Sequence, residues 1–310
     1  MPMQNETHVK EMIRTSLLDE VYTTPKPGLV DLHDNGAHTD MDVALFERST
    51  EAIVPFLYAM YEEGMRFAGD RAHTLPDTKK EEADAFPALF YRVRETGKEA
   101  ERAMFRATNN VNTHKGMIFS AGLLLTAAGT LSLPAAQALC DRAAQIASFV
   151  IGSELAEDAH ASAQEEHTPA QSTTRIPQTH GETVRRMFHV DGVRGEALSG
   201  FPALLQTALP ALLRAEKEGL SANDARVQTL LSVMTVLDDT NVYMRGGEEA
   251  ARFVKSRAKE ILENEQAGSA PWHDALKRFN EECIKKNISP GGAADMLALA
   301  LLVSRLSGNP

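Results

Sequence analysis

Residues 287–306 read NISPGGAADMLALALLVSRL, and this stretch determines the fold class. Nine of its twenty residues are alanine or leucine, and residues of such high helix propensity favour closely packed helices over a sheet. Ser289 is a suitable N-cap and Pro290 a suitable first helical residue, so a helix is predicted over 291–306. Because that helix is apolar on nearly every side, we expect it inside a helical core.

The rest of the chain shows the same helical periodicity. Apolar residues recur at spacings of three and four, as in Met12, Leu17 and Val21, and breakers such as Pro134 and Gly219 separate the periodic stretches. No strand pattern is present. The sequence therefore predicts an all-α protein with about ten helices in one compact domain over 1–310. Two helices lie near 12–21 and 45–60, and others are predicted over 80–106, 114–129, 134–155, 195–218, 222–237, 247–264, 272–286 and 291–306.

One segment, 157–180, departs from this periodicity. It is rich in Ala, Ser, Gln, Thr and His and contains almost no large apolar residue. The segment is predicted to be a polar mobile loop. Because the stretches on both sides are typical of core helices, we interpret it as an insertion in one domain rather than as a linker.

Composition and charge exclude several classes of protein. The 310 residues include 32 Lys and Arg against 43 Asp and Glu, and a net charge of −11 makes nucleic-acid binding unexpected. Two cysteines, Cys140 and Cys283, without a CxxC spacing indicate reduced thiols and a cytoplasmic protein. The first residues lack the apolar region of a secretory signal. No stretch reaches the ~20 apolar residues of a membrane span, so no membrane association is expected.

The first of five polar stretches is TPKPGLVDLHDNGAHTDMD, residues 24–42. Its two prolines and two glycines enforce an irregular backbone that carries a dense set of ionisable groups. Capping of the next helix explains one aspartate. It does not explain the alternation of His38, Asp40 and Asp42, or why so many carboxylates crowd together unless a cation lies between them.

A second polar stretch, NNVNTHKG, occupies residues 109–116 just before a predicted core helix. Asn112 or Thr113 is suited to cap that helix. Lys115 would then lie beside the free backbone amides of the helix start, an arrangement typical of anion sites.

The third stretch is VLDDTNVYMRGG, residues 236–247. Asp238 and Asp239 follow an apolar helix, where the helix dipole disfavours negative charge, so a divalent cation is expected to relieve them. Arg245 offers a guanidinium to a phosphate, and Gly246 and Gly247 offer flexible backbone amides.

The last two stretches also join glycines to charged residues. In residues 287–306, Asp295 is the only charge before Arg305, so its carboxylate must be metal-bound, protonated or held in a structural salt bridge. Residues 192–202, GVRGEALSGFP, place Arg194 and Glu196 among three glycines.

Motif searches exclude several common chemistries. The chain has no GxxxxGK(S/T) phosphate loop, no GxGxxG after a strand, and no HExxH, GxSxG or kinase signature. The pair Asp238–Asp239 lacks the third aspartate of a DDxxD prenyl-diphosphate site. ATP, if bound, must therefore be held in another way.

Taken in chain order, over residues 24 to about 303, the five stretches resemble the triphosphoribosyl-dephospho-CoA synthases. The resemblance implies a pentosyl transfer, in which the triphosphoribosyl group of ATP moves to the ribose 2′-hydroxyl of 3′-dephospho-CoA and adenine is released. The product would be the precursor of the acyl-carrier-protein prosthetic group of citrate lyase or malonate decarboxylase, passed on to a holo-acyl-carrier-protein transferase.

The resemblance also implies roles for the polar residues, in a site lined by glycine-rich loops. A carboxylate can stabilise the oxocarbenium character that arises when the glycosidic bond breaks, and the hydroxyl needs a general base. Asp31, Asp42 and Glu196 are the catalytic candidates, and the sequence does not rank them. Mg²⁺ is the expected cofactor, with Asp238 and Asp239 joined by Asp40, Asp42 or Asp295 as ligands. The expected nucleotide-binding residues are Lys26, Asn112, Thr113, Lys115, Arg194, Arg245, Gly246, Gly247, Ser289, Gly291 and Gly292.

Two alternatives from other classes remain open at this point. A Mg²⁺-dependent helical hydrolase of ADP-ribosyl or nucleotide bonds would also need paired carboxylates and glycine-rich phosphate loops. A non-catalytic helical adaptor would fit the fold and the net charge, but it gives no reason for five clustered polar loops. The sequence leaves open the pathway served, the general base, the number of metal ions, and the oligomeric state, for which a homodimer is one option.

Overall fold

The structure, a computed structural model, describes residues 5–73, 79–132, 134–165 and 180–308. These residues contain no strand, and they form twelve α-helices and one π-helical turn, Leu204–Ala208. The predicted all-α class is confirmed, with slightly more helices than expected. In chain order they are α1 (Glu6–Tyr22), α2 (Val43–His73), α3 (Lys79–Ala107), α4 (Lys115–Thr130), α5 (Ala136–Glu165), α6 (His180–Phe188), α7 (Gly192–Leu198), α8 (Leu209–Lys217), α9 (Ala222–Val236), α10 (Thr240–Asn264), α11 (Ala270–Lys285) and α12 (Gly291–Leu306).

Two apolar helices, α4 and α12, lie at the centre of one contiguous core. Helix α4 packs against α2, α3, α5 and α12, and α12 also packs against α1 and α9. Glycines let α2 and α4 approach closely, because a Cβ atom at Gly129 would lie 2.2 Å from the carbonyl oxygen of Tyr61. Among the described residues, no helix is long and apolar enough to cross a membrane.

The single helix predicted over 195–218 is instead three elements. Gly200 and Phe201 both adopt left-handed backbone angles, with φ of 74° and 56°, which end α7 before Pro202. The π-helical turn and α8 follow, and Phe201 is fully buried beneath this corner. Periodicity alone missed the break because the apolar spacing continues across it.

Two other boundaries differ from prediction. Helix α10 begins at Thr240 rather than near 247 and is kinked at Gly246 and Gly247, where Gly247 has φ of 61°. Helix α5 continues to Glu165, so the first part of the predicted loop 157–180 is helical. The rest of that predicted loop, 166–179, lies outside the described residues.

The loop between α1 and α2 is docked on the junction of α11 and α12. The backbone N–H of Gly28 donates to Asn280 Oδ1 at 2.8 Å, and Asn280 Nδ2 donates to Asp34 at 2.8 Å. Gly28 has φ of 74°, and a Cβ atom there would lie 2.3 Å from the carbonyl oxygen of Ile288. This docking holds Lys26 and His38 beside the start of α12.

Candidate functional site

A cavity of about 700 Å³ lies where the N-termini of α4, α10 and α12 converge. The loop between α1 and α2 closes one side, and α3, α5 and α7 close the other. Ten of the residues predicted for the site line it. They are Lys26, Asn112, Thr113, Lys115, Arg194, Arg245, Ser289, Gly291, Gly292 and Asp295.

Glycines allow the helix starts to come this close. A Cβ atom at Gly291 would lie 2.8 Å from Asn241 Nδ2, and one at Gly116 would lie 2.7 Å from Asp295 Oδ2. The N-terminal halves of three helix dipoles therefore point to one space, where their partial positive charge favours an anion.

Asp239 lies beneath this convergence rather than in the cavity wall. It caps α10 by accepting the backbone N–H of Asn241 at 2.9 Å, and it accepts the N–H of Ala293 in α12 at 3.0 Å. Burial raises the pKa of this carboxyl group, against the lowering effect of the backbone donors. Its aspartate neighbour Asp238 turns outward to Lys255 at 2.7 Å.

The candidate metal ligands Asp40, Asp238, Asp239 and Asp295 therefore do not meet, and Asp42 caps α2. The carboxylate of Asp239 accepts backbone N–H groups, and that of Asp238 pairs with Lys255. The side chain of Asp40 is 59% exposed and does not line the cavity. Only Asp295 faces the cavity. Across the described ranges, no three His, Cys, Asp or Glu side chains are grouped so that they could hold a metal ion. The sequence analysis placed Asp238 and Asp239 at the C-terminus of a helix, where negative charge is unfavourable. In the structure Asp239 is also the N-cap of the next helix, α10, where negative charge is favourable.

None of the three carboxylates predicted as general bases lines the cavity. Asp31 accepts the backbone N–H groups of Lys26 and His33, at 2.7 and 2.6 Å, and so shapes its own loop. Asp42 caps α2 through the N–H of Leu45 at 2.8 Å.

The third predicted base, Glu196, is half-buried in α7 and accepts the N–H of Ala203 at 3.1 Å, while burial raises its pKa. Gly246 and Gly247 also lie outside the cavity wall, because they form the kink in α10.

A buried ion pair on the cavity wall was missed by the sequence analysis. Lys26 is only 2% exposed, and its Nζ donates to the carboxylate of Glu20 and, at 2.7 Å, to the Glu20 carbonyl oxygen. The sequence did contain an indication that Glu20 is buried: it lies on the apolar face of α1, at helical spacing from Ile13 and Leu17. Lys26 is therefore committed to Glu20 rather than free to bind a ligand.

Asp295 faces the cavity without such a partner. No hydrogen bond to its carboxylate is found among the described residues. Its pKa is raised well above the usual range, first by burial and then by the charges of Glu20 and Asp239. A cation at this end of the cavity would reverse that electrostatic penalty.

His38, which also lines the cavity, joins the loop between α1 and α2 to the start of α12. Its Nε2 lies 2.7 Å from Ser289 Oγ, and its Nδ1 lies 3.3 Å from a guanidinium nitrogen of Arg245. Arg245 also donates to the carbonyl of Ala37 at 3.1 Å and to Asn287 Oδ1 at 2.9 Å. Burial, followed by the charge of Arg245, lowers the pKa of His38.

A second histidine that lines the cavity, His114, is buried and bound to neighbouring side chains. Its Nδ1 lies 2.6 Å from Ser49 Oγ, and its ring contacts Phe46 edge-on. Burial, followed by the charge of Lys26, lowers the pKa of His114 to about 3. His114 is therefore neutral throughout the physiological range.

Comparison with known proteins identifies the family. Residues 6–310 match the family model described as CitG: ATP:dephospho-CoA triphosphoribosyl transferase. The chain belongs to this transferase family. The resemblance drawn from the five polar stretches is thereby confirmed, and the hydrolase and adaptor alternatives find no support.

Curated relatives span nearly the whole chain. The 2-(5''-triphosphoribosyl)-3'-dephosphocoenzyme-A synthase of Pectobacterium atrosepticum is 38% identical over 299 residues, covering 95% of this chain and 88% of the relative. Proteins named as probable synthases of the same kind in Vibrio cholerae serotype O1 and Salmonella typhimurium are 36% and 35% identical, each over 94% of this chain and 85% and 89% of their own lengths. No solved structure matches the chain.

The cavity of this triphosphoribosyl transferase has ion pairs at its mouth. Lys115 lies 3.3 Å from Glu101, and Arg194 lies 3.7 Å from Glu182. Because all four side chains are partly exposed, these pairs contribute little to stability and a strongly charged ligand can replace the carboxylates.

Away from the helix starts, the wall of the transferase cavity combines many apolar side chains with a few charged ones, among them the ion pair of Arg94 and Glu154. This part of the wall comes from α3, α4 and α5, and Met60 of α2 lies against the glycines Gly97 and Gly122. The apolar side chains on these three helices include Phe90, Val93, Phe119, Leu123, Ile151 and Leu155. The cavity thus has one end suited to anions and one suited mainly to uncharged groups.

Proposed function

We propose that this cavity is the active site in which the triphosphoribosyl group of ATP is transferred to the ribose 2′-hydroxyl of 3′-dephospho-CoA, with release of adenine. The observation that carries the proposal is the convergence of three helix N-termini on one cavity in a chain of net charge −11. A local concentration of positive potential in an acidic protein selects a polyanionic ligand.

The triphosphate is assigned to the starts of α4 and α12. Asn112 Oδ1 accepts the N–H of Lys115 in α4 at 3.2 Å, and Asp239 accepts the N–H of Ala293 in α12, so the phosphate oxygens are assigned to the amides that these two side chains leave unbound. Lys115 and Arg194 supply charge from the mouth, where their present partners are weakly held carboxylates. Arg245 adds a guanidinium from α10 and at the same time fixes the loop around His38.

The ribose of ATP is assigned to the end of the cavity that holds Asp295. Breaking the bond between C1′ and the adenine nitrogen places positive charge on the ribose, and a carboxylate close to that charge lowers the barrier. Asp295 is suited to this role because no hydrogen-bond donor in the described part of the chain occupies its carboxylate. Glu20, on the same wall, adds negative potential and is held in place by Lys26.

Magnesium fits this end of the cavity through Asp295. Mg²⁺ in nucleotide sites is held by one or two carboxylates together with phosphate oxygens, and Asp295 with the neighbouring Glu20 provides that donor chemistry. A bound Mg²⁺ would neutralise part of the triphosphate charge. We do not assign Asp40, Asp238 or Asp239 to it, because their carboxylates point elsewhere.

The apolar wall is assigned to the uncharged parts of the substrates. Purine rings and the pantetheine arm both lose water-exposed apolar area when they lie against Phe90 and Phe119, and that burial is favourable. The two ends of the cavity thus match the mixed chemistry of two adenine nucleotides.

We further propose that the product passes to a holo-acyl-carrier-protein transferase that serves citrate lyase or malonate decarboxylase, and that the protein acts in the cytoplasm. Reduced thiols support that compartment, since Cys140 and Cys283 are both buried and unbridged, and burial raises the pKa of each to about 12.

Mass spectrometry of the products formed from ATP and 3′-dephospho-CoA tests the proposed function. We expect one new species, dephospho-CoA carrying a triphosphoribosyl group, and free adenine in equal amount. Adenine release must depend on dephospho-CoA. Release of adenine, or cleavage of an ADP-ribosyl bond, in the absence of dephospho-CoA would indicate a hydrolase instead. Asp295→Asn is the inactive control, and the exposed Asp238→Asn is the matched active one.

A further inference from the structure

We propose that the cavity wall formed by α3, α5 and α6 contains a second anion subsite, in which Arg94 and Arg185 bind the diphosphate of 3′-dephospho-CoA. Both arginines line the cavity, and both lie outside the five polar stretches of the sequence. The inference rests on the proposed function and deepens it, because that function assigns cations to the triphosphate of ATP and none to the acceptor.

Direct transfer requires both substrates in the cavity at the same time. The acceptor hydroxyl attacks C1′ of the donor ribose, so two ribose rings separate the triphosphate of one substrate from the diphosphate of the other. Two polyanions at that range repel each other, and a partly buried cavity screens the repulsion less than bulk water does. The starts of α4, α10 and α12 offer positive charge to one polyanion, so the second needs cations of its own.

Arg94 and Arg185 approach the same turn of α5 from two different helices. The guanidinium of Arg94, on α3, pairs with the carboxylate of Glu154. That of Arg185, on α6, donates to the carbonyl oxygen of Leu155, the next residue of α5, at 2.8 Å. Guanidinium groups bind phosphate oxygens through paired N–H donors, so two of them beside adjoining residues suit the two phosphates of a diphosphate.

The subsite is separate from the helix starts assigned to the triphosphate. Lys115, at the start of α4, lies 3.3 Å from Glu101 of α3. Arg94 precedes Glu101 by about two helical turns, which is roughly 10 Å along the axis of α3. Lys98 lines the cavity between the two positions. One face of α3 therefore extends from the triphosphate site to the proposed diphosphate subsite.

A purely structural role explains the pair of Arg94 and Glu154 less well. The two side chains are 37% and 27% exposed, and ion pairs in contact with water contribute little to stability. Their neighbours on the cavity wall, Val93 and Ile151, are apolar, so an apolar pair would join α3 to α5 at least as well. A charged pair at a cavity is useful where an anionic ligand can replace the carboxylate.

The second arginine is already held in position for a ligand. The Nε of Arg185 donates to Asp191 at 2.7 Å, in addition to the hydrogen bond that a terminal nitrogen makes to Leu155. Because its guanidinium is fixed on two sides, it loses little conformational freedom when an anion binds, and this lowers the cost of binding.

Calorimetric titration of the full chain with 3′-dephospho-CoA and with ATP, each alone, tests the subsite. Arg94→Gln should weaken dephospho-CoA binding by about 10- to 100-fold, the range of a lost charge-assisted contact, and change the affinity for ATP by less than about threefold. Glu154→Gln removes only the competing carboxylate and should not weaken dephospho-CoA binding. Arg92→Gln is the matched control, because Arg92 lies on the same helix, pairs with Glu63 and does not line the cavity.

Steady-state kinetics should show the same selectivity. A contact to the diphosphate is made equally in the ground state and the transition state, so Arg94→Gln should raise KM for dephospho-CoA and leave kcat within about threefold. Arg94→Lys should restore only part of the affinity, because a compact charge does not reproduce the planar fork of the guanidinium.

Several outcomes would overturn the subsite while the proposed function stands, provided that wild type forms the triphosphoribosyl product. Dephospho-CoA binding could be unchanged in Arg94→Gln, or ATP binding could fall as much or more. Glu154→Gln could lose as much affinity as Arg94→Gln, which would show that the pair only spaces α3 from α5.

Failure of the proposed function has a different signature. If wild type forms no triphosphoribosyl product, that function is wrong, and selective loss of dephospho-CoA binding in Arg94→Gln would still identify the diphosphate subsite. Circular dichroism identifies a variant that does not fold. In that case the double variant of Arg94→Gln and Glu154→Gln, which leaves neither charge unpaired, replaces Arg94→Gln in the titrations and should show the same selective loss.

Discussion

The carboxylate of Asp239 accepts backbone N–H groups of both Asn241 and Ala293, residues from two different helices, at 2.9 and 3.0 Å. One side chain thereby joins the starts of α10 and α12 under the floor of the cavity. The close approach of Gly292, where a Cβ atom would lie 3.0 Å from this carboxylate, depends on the same arrangement. Asp239 therefore holds together two of the helix starts that line the cavity, although its own side chain does not line it.

The first prediction follows from that bond network. Asp239→Asn should destabilise the fold by about 1–3 kcal/mol, because an amide nitrogen would face backbone donors that the carboxylate now accepts. Urea unfolding followed by circular dichroism measures the change. Asp238→Asn, exposed and one residue away, is the matched control and should change stability by no more than about 0.5 kcal/mol. Equal stability of both variants would contradict the structural role of Asp239.

Asp295→Asn should have the opposite effect on stability while it abolishes turnover. The raised pKa of Asp295 means that ionisation of this carboxyl group is harder in the folded chain than in the unfolded chain. The group therefore lowers the free energy of unfolding once the pH exceeds the pKa that Asp295 has in the unfolded chain, and this loss grows until the pH passes the pKa in the folded chain. The variant removes that cost. We expect a gain of about 0.5–2 kcal/mol at pH 7.5 that shrinks toward pH 4.

Thermal unfolding of wild type and Asp295→Asn at both pH values, in EDTA and without nucleotide, measures this difference. A wild type that is more stable than Asp295→Asn at pH 7.5 would show that the carboxylate has a stabilising partner in the folded protein.

Lys115 should contribute specifically to ATP affinity. It is the first residue of α4, half-exposed, and its ammonium lies beside the free amides of the helix start. Lys115→Ala should weaken ATP binding by about 1.5–3 kcal/mol, roughly 10- to 150-fold, and change dephospho-CoA binding little. Lys115→Arg should restore only part of the affinity, because a planar guanidinium does not reproduce a compact charge.

Calorimetric titration with each substrate separately measures these affinities. Glu101→Gln is the matched control, since it removes the present partner of Lys115 but leaves the cation, and it should not weaken ATP binding. Equal weakening of both substrates by Lys115→Ala would point to a folding defect, and selective loss of dephospho-CoA would reverse the assignment of the two substrates.

The buried pair of Glu20 and Lys26 should show strong coupling in a double-mutant cycle. Removal of either partner leaves an uncompensated charge in the interior, so Glu20→Gln and Lys26→Met should each cost about 3–5 kcal/mol. The double variant should be more stable than the sum of the single effects implies, by about 0.5–3 kcal/mol. Urea unfolding of the four proteins provides the cycle, and additive effects would mean that the ion pair does not exist in solution.

Much of the architecture was predictable because it depends on local sequence. Apolar spacing, caps and breakers placed most helices, and α4, α9, α11 and α12 begin within about two residues of the predicted positions. The five polar stretches identified the transferase family and contain all ten of the predicted site residues that line the cavity. Spacing along one helix is set by residues three and four apart, so a single sequence carries that information directly.

The orientation of the polar residues was decided by the tertiary structure alone. Asp239 and Asp295 were both candidate metal ligands in the sequence, yet the carboxylate of Asp239 accepts the N–H of Ala293 and that of Asp295 faces the cavity. His38 and Ser289, 251 residues apart in the sequence, come into contact only in the folded chain. Contacts of this kind join residues far apart in the chain, and neither local periodicity nor capping rules constrain them. They form only when packed helices bring the segments together, which is why the sequence determined the helices and the family, and the fold determined the site.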